Sequence, residues 1–318
     1  MNLSNNSKNI LITGCILISI IFPYLANSVW LSVGTTFLIF STLALSQDMI
    51  LGRAGIYAMG HAMFFGLGAY AFAIMLSHYN VNLVIAFISA GIITGIIGMV
   101  LARPILHLRG DYFLVVSLGL NIIFTQIINN DPFGLTGGPN GIFAININTL
   151  LGIDFSNPKI IYFIALLLLL IVILLLNNLN YSKIGRALYY VNHDEIAARS
   201  VGINPTNIKL LIFALGTMIA GFAGSIFVLQ YSAVSPDTFD INQSILLFAV
   251  VIVGGQGSLA GVIAGSFIMF VIPEIFRSFA EVRYLIFGIA MVVLMVIRPS
   301  GILPNKFRFY RRKLLKND

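Results

Sequence analysis

The chain has 318 residues, of which 58% are hydrophobic and only 9% charged, against roughly a quarter charged in an ordinary soluble domain. That balance excludes a soluble globule, and long apolar runs recurring from end to end make the chain a polytopic membrane protein of the all-α class. The net charge of +7 comes from 18 basic and 11 acidic residues, and no nucleic-acid-binding module accompanies it.

Apolar runs bounded by charge, Gly, Pro or Asn predict helices at 9–23, 29–46, 54–77, 82–101, 112–130, 160–176, 208–230, 242–255, 258–275 and 283–297, about ten crossings of a single transmembrane unit, 1–318. Lys8 before the first run resembles a signal peptide, but no small-x-small cleavage site follows. Cys15, in the same run, is the chain's one cysteine, so no intrachain disulfide forms. In GRAGIYAMGHAMFFGLGAY, Ala54, Ala58, Ala62 and Gly66 recur every four positions, a stripe that lets helices approach closely or surrounds a path. His61 stands among them, either as a ligand or as a hydrogen bond between helices. Asn121 and Gln126 in LNIIFTQIINN, Gln230 in VLQYS and Gln243 in INQSILL either line a polar route or tie helices together. Asp111 beside Arg109 reads as a helix cap or ion pair.

The 131–159 connection carries TGGPNG, dense in turn-forming residues. Thr136, Gly137, Gly138, Pro139 and Asn140 are expected to build an external entrance or gate; no Lys-Ser or Lys-Thr follows to make a phosphate loop. The run 242–255 is short and ends in GGQGS, so it either spans or re-enters. Gly257, Gly261 and Gly265 in GGQGSLAGVIAGSF form a second packing stripe.

Topology follows from charge. The basic tail 298–318 and the basic connection 177–207 belong on the cytoplasmic side, so an even number of crossings separates them. Ten spans place both termini inside, with fifteen of the 18 Lys and Arg, Arg53 among them, facing the cytoplasm. The tail is also suited to anionic lipid headgroups. Five spans before 131–159 and five after run in opposite senses, the arrangement of an inverted repeat.

The stretch VNHDEIAARSVGINP is the most polar part of the chain's interior. Asn192 is expected to cap a helix of about two and a half turns, Glu195 to reciprocate, Gly202 to end it in a left-handed turn and Pro205 to forbid continuation. Before it, Ile184, Ala187, Leu188 and Val191 fall at i, i+3, i+4 and i+7, a face to lie on protein or membrane. Such a segment either docks into a partner's groove or lies at the interface.

Glu195-Ile196-Ala197-Ala198 followed by Gly202 resembles the coupling-helix signature of bacterial ABC importer permeases. The blocks MGHAMFFGLGAYAFAIM, LRGDYFLVVSLGLNIIF, LTGGPNGI, GRALYYVNHDEIAARSVGINP, VVIVGGQGSLAGVIAGSFI and RPSGIL are similar, in the same order, to the branched-chain amino-acid permease family. The chain departs from that family's pattern at Arg53, Ile56 and Ile196. The resemblance implies a non-enzymatic permease of the bacterial inner membrane with a coupling segment at 181–203 between spans six and seven, in which Arg186, Glu195, Ile196, Ala197, Ala198 and Gly202 meet a cytoplasmic ABC ATPase. It also implies a second homologous permease chain and an external solute-binding protein. No metal or cofactor is implied in this chain, ATP being bound by the partner. The solute it implies is a branched-chain or other small hydrophobic amino acid, with a urea- or amide-type solute as the alternative. An ion-coupled secondary transporter is the rival class; it would want a buried charged group near midplane, and every Asp and Glu here falls near a predicted span end. Zincin and nucleophile-elbow motifs are missing from the sequence.

Overall fold

The computed structural model describes residues 14, 17–108, 110–143, 145, 155, 157–275, 288 and 301–303. The predicted 283–297 span apart from Gly288, the start of 9–23, Lys8, Arg109, Arg277, Arg283, Arg298 and the basic tail beyond residue 303 lie outside the described residues.

Among the described residues the fold is helical. After a helical stretch at 17–25 come α1 (Ser28–Asp48), α2 (His61–Ser77), α3 (Leu83–Ile105), α4 (Asp111–Asn129), α5 (Pro158–Tyr181), α6 (Lys183–His193), α7 (Glu195–Ser200), α8 (Pro205–Tyr231), α9 (Ile241–Gly254) and α10 (Leu259–Ser266). One isolated antiparallel bridge, Ile142 to Val234, is the only extended pairing among these residues. Polar caps set several of the starts: Asn157 and Asn204 accept from Lys159 and Asn207 N–H with Pro158 and Pro205 as the first helical residues, and Asp240 and Ser258 accept from Gln243 and Gly261 N–H. A side-chain oxygen satisfies an orphan N–H at each, and proline has none to lose there. Asp111 makes no cap; it is the first residue of α4, behind Gly110 at φ 53°.

Six helical segments are long and apolar enough to cross a bilayer: Ser28–Arg53, Leu83–Ile105, Asp111–Asn129, Pro158–Tyr181, Pro205–Tyr231 and Pro236–Gly254. Two shorter apolar helices, His61–Ser77 and Leu259–Ile275, accompany them. α8 is the central post, with α2 and α3 on one side and α1 and α5 on the other. Backbone approaches replace side chains where it crosses α2: a Cβ on Gly68 would meet the Gly221 backbone, and one on Gly224 would meet Phe65 O. Lipid offers no hydrophobic drive for helix association, so close backbone packing of this kind supplies it.

Two predicted spans are not single helices. The 54–77 run is broken: α1 continues through a π-helical turn, Met49–Arg53, residues 55–60 are non-helical, and α2 begins only at His61. Gly55 at φ +66° turns the chain where an L side chain is strained. The stripe expected on one helix is therefore split, with Ala54 and Ala58 in the break and Ala62 and Gly66 on α2. The 258–275 run is interrupted by a second π turn, Phe267–Val271. α9 by itself has 14 residues, about 21 Å at the helical rise and short of a bilayer core of about 30 Å; the 3₁₀ turn Pro236–Phe239 before it brings the segment to 19 residues.

Candidate functional site

The break before α2 is a junction of four helices. Gln47 Nε2, from the end of α1, donates to Ala58 O at 2.5 Å, and Ser117 Oγ of α4 accepts from Met59 N–H at 2.9 Å. Ser244 Oγ of α9 accepts from Ala62 N–H at 3.1 Å. His61 is buried at 1% exposure, its Nε2 lying 2.7 Å from Ser46 Oγ. Ser46 donates its single hydroxyl hydrogen to Leu43 O at 2.7 Å, so the imidazole carries its hydrogen on Nε2, and Nδ1 has no partner.

The polar candidates on the neighbouring helices divide. Asn121 lies one turn along α4 from Ser117, fully buried, with neither amide atom partnered; Gln243 stands beside Ser244 at the start of α9 with Nε2 unpartnered. Gln126 is exposed on the outer side of α4, away from this group. Gln230 instead ties α8 to α1, donating to Ser32 O and Thr36 Oγ1 at 3.0 Å.

The charged stretch folds as two helices rather than one. α6 is capped by Ser182 Oγ, which accepts from Gly185 N–H, and it buries Leu188 and Val191 while Ile184 stays exposed. α7 has only 6 residues, and its cap is Asp194, not Asn192: Asp194 Oδ1 accepts from Ile196 and Ala197 N–H at 2.9 and 3.0 Å. Asn192 is used elsewhere, its side chain packing on Gly55 in the break before α2. Gly202, at φ +81°, closes α7, and Pro205 opens α8. Glu195 does not reciprocate a cap; it pairs with Lys209 on α8 and lies 4.0 Å from Arg199. Ala198 is buried, whereas Ile196, Ala197 and Val201 are exposed, Ile196 at 77%. Arg186 is exposed on α6 beside Tyr181 O. Between this hairpin, the break and the α3–α4 connection lies a cavity of about 460 Å³, lined among others by Tyr57, His107, Phe113, Asn192, Glu195 and Lys209.

At the other end of the bundle the TGGPNG loop is folded by one carboxylate. Asp131 Oδ1 accepts from Thr136 and Gly137 N–H at 2.8 and 3.0 Å and from the Thr136 hydroxyl at 3.0 Å. The Thr136 N–H above all holds the Asp131 carboxyl below the usual carboxylate range. Gly138–Asn140 forms one 3₁₀ turn through Pro139, and Ile142 then pairs with Val234 beyond α8. In the 257–265 stripe, Gly257 sits in the turn between α9 and α10, while Gly261 and Gly265 press on the Gly254 backbone. No group of three or more metal-ligating side chains occurs among the described residues.

A family model described as branched-chain amino acid transport system / permease component matches residues 29–296. The chain belongs to that family. The high-affinity branched-chain amino acid transport system permease protein LivM of Salmonella typhimurium is 32% identical over 95% of this chain and 76% of its own length. The high-affinity branched-chain amino acid transport system permease protein BraD of Pseudomonas aeruginosa is 25% identical over 89% of this chain and 96% of its own length, and LivH of Salmonella typhimurium 24% over 83% and 91%. No solved structure matches the chain significantly.

Residue-by-residue reading of this permease missed the hydroxyls Ser46, Ser117 and Ser244 and the partner Lys209; Ser117 and Ser244 are drawn in from distant sequence, and Ser46 and Lys209 from the next element along the chain. It also missed the ion pair of Asp48 with Arg53: Arg53, expected to face the cytoplasm, is only 5% exposed. Opposite charges five residues apart between two apolar runs were the available signal.

Proposed function

We propose that the chain is the membrane-spanning permease subunit of an ATP-driven importer for branched-chain or other small hydrophobic amino acids, working by alternating access while a separate subunit hydrolyses ATP. The substrate class is carried over from LivM and BraD, which are permease proteins of high-affinity branched-chain amino acid transport systems. On this reading the chain crosses the membrane about ten times as an inverted five-plus-five repeat with both termini in the cytoplasm. It works beside a second, homologous permease, two cytoplasmic ATPases and an external solute-binding protein in the bacterial inner membrane. His61, Asn121 and Gln243 belong to the translocation path, and Thr136–Asn140 to its external mouth.

The observation that carries the reading is the build of α7. An apolar knob made by Ile196, Ala197 and Val201 is left exposed at the end of a short helix, yet the same helix is bolted to the central span by Glu195 and Lys209. A partner that seats on the knob pushes on α8 directly. ATP-driven closure of the ATPases then selects one state of the bundle, provided that they bind the two states with different affinity.

Glu195→Lys at the bolt and Gly202→Leu at the left-handed turn test this. In proteoliposomes holding the whole importer, ATP hydrolysis is expected to persist while uptake per ATP falls roughly tenfold, within the range that coupling residues command. Uptake equal to the parent's at matched expression rejects the lever. The ion-coupled rival draws support from Asp48, a fully buried carboxylate, but Arg53 stands beside it as counter-charge; uptake driven by a proton gradient without ATP would favour that rival.

A further inference from the structure

The Asp48–Arg53 pair joins places far apart in sequence. Asp48 is fully buried and Arg53 nearly so, with Arg53 Nε 3.6 Å from Asp48 Oδ2. Asp48 Oδ1 accepts from Gly257 N–H at 2.7 Å, in the link between α9 and α10. Arg53 Nη1 donates to Leu176 O at 2.9 Å and Asn180 Oδ1 at 2.6 Å, in the last turns of α5. Two side chains thus hold together the π turn at the end of α1, the end of α5 and the α9–α10 link. Fit at this point is at backbone contact, since a Cβ on Gly52 would meet both Asp48 Oδ1 and Gly257 N. Arg53 also lines a small cavity of about 20 Å³ with Gly185, Leu188, Tyr189 and Asn192 of α6, so the cytosolic hairpin lies against the same junction.

As a device for stability the pair is poor. Replacing a buried ion pair by apolar side chains of similar volume is commonly neutral or stabilising, because desolvation consumes the Coulomb gain. This one is only partly satisfied: 3.6 Å is beyond hydrogen-bond reach, and Asp48 Oδ2 and Arg53 Nε and Nη2 have no hydrogen-bond partner among the described residues. What the pair does supply is registry among three segments, the π turn after α1, the end of α5 and the α9–α10 link, and a π turn within an α-helix is where helices commonly accommodate function.

We propose that Asp48 and Arg53 are positioning residues, a buried clasp that makes the α1 break, the end of α5 and the α9–α10 link move as one body with α6. Its role in transport rests on the importer reading above; its mechanical part does not. The clasp passes displacement of the hairpin, which lies against the α1 break and the end of α5, on to the α9–α10 link.

The test compares the parent with Asp48→Leu/Arg53→Met, which removes both charges, and with Arg53→Lys, which keeps the charge but loses the guanidinium fork. Melting temperature and amide hydrogen exchange are read on the purified chain, and ATP consumed per solute taken up on the reconstituted importer. The double variant is expected to melt at or above the parent. Its amides at 183–193 and 255–258, none of them substituted, should exchange roughly fivefold faster, and ATP per solute should rise by a similar factor. Arg53→Lys should fall between the two. Unchanged exchange at either segment overturns the clasp, as does a double variant that fails to accumulate or melts well below the parent, since the pair would then serve folding. Faster exchange with parental coupling overturns the transmission role. A parent chain that shows no ATP-driven uptake sinks the importer reading instead, and the exchange data still decide the clasp.

Discussion

At the scale of single residues, the break before α2 depends on hydroxyls that satisfy buried backbone and imidazole groups. Ser46 is the plainest case, since its oxygen accepts from His61 Nε2 while its hydrogen goes to Leu43 O. Ser46→Ala leaves a buried ring N–H unsatisfied, which costs about 1–3 kcal/mol. A lowered melting temperature of the purified chain checks this, and a variant melting with the parent would show that His61 finds another partner. His61 was legible in the sequence because an ionisable group amid apolar neighbours is conspicuous. Ser46, Ser117 and Ser244 were not, because serine is unremarkable in a membrane helix and only the meeting of α1, α4 and α9 gives these three a purpose.

At the scale of elements, caps and turns were read with mixed success for a physical reason. Gly202 and Pro205 act through their own backbone chemistry and lie where the sequence put them, at the end of α7 and the start of α8. The cap of α7 was read as Asn192 and is Asp194, because α6 runs on through Asn192 to His193 and the Asn192 side chain packs on Gly55 in the break before α2. The Asp131 loop makes a prediction at the same scale. Its carboxyl is held below the usual range by N–H donors of the folded loop, so the contribution of this contact is present above the unfolded carboxyl's range. It is lost as pH falls through the lower folded value. Amide protection across 131–141, taken relative to the intrinsic exchange rate at each pH, should therefore hold from neutrality down through the ordinary carboxylate range and fall only below it, while Asp131→Ala should show low protection at every pH. Fast exchange in the parent at pH 7 would remove this role for the carboxylate.

At the scale of the whole molecule, the two ends of the bundle carry different devices: a carboxylate-folded loop at one, and the hairpin with its cavity at the other. The importer reading requires the hairpin end to face the cytosol. In a Cys15→Ser chain, Val201→Cys, which leaves the Asp194 cap intact, should be modified by a membrane-impermeant thiol reagent in inside-out vesicles and spared in intact cells. Modification from outside would invert the topology and end the assignment of α6 and α7 to an ATPase.

Composition and the lengths of apolar runs determined by themselves that this is a membrane-embedded helix bundle, because a bilayer admits few other ways to satisfy a backbone. The ordered blocks of sequence likewise determined its family, since each block is local and survives without knowledge of its neighbours. Tertiary structure alone decided that the 54–77 run is broken, that Arg53 turns inward to Asp48, and that Glu195 answers Lys209 on α8. Hydropathy averages over a window and cannot register one turn of lost helix. A buried charge, moreover, is tolerated only through partners that residues hundreds of positions away supply, as Gly257 does for Asp48.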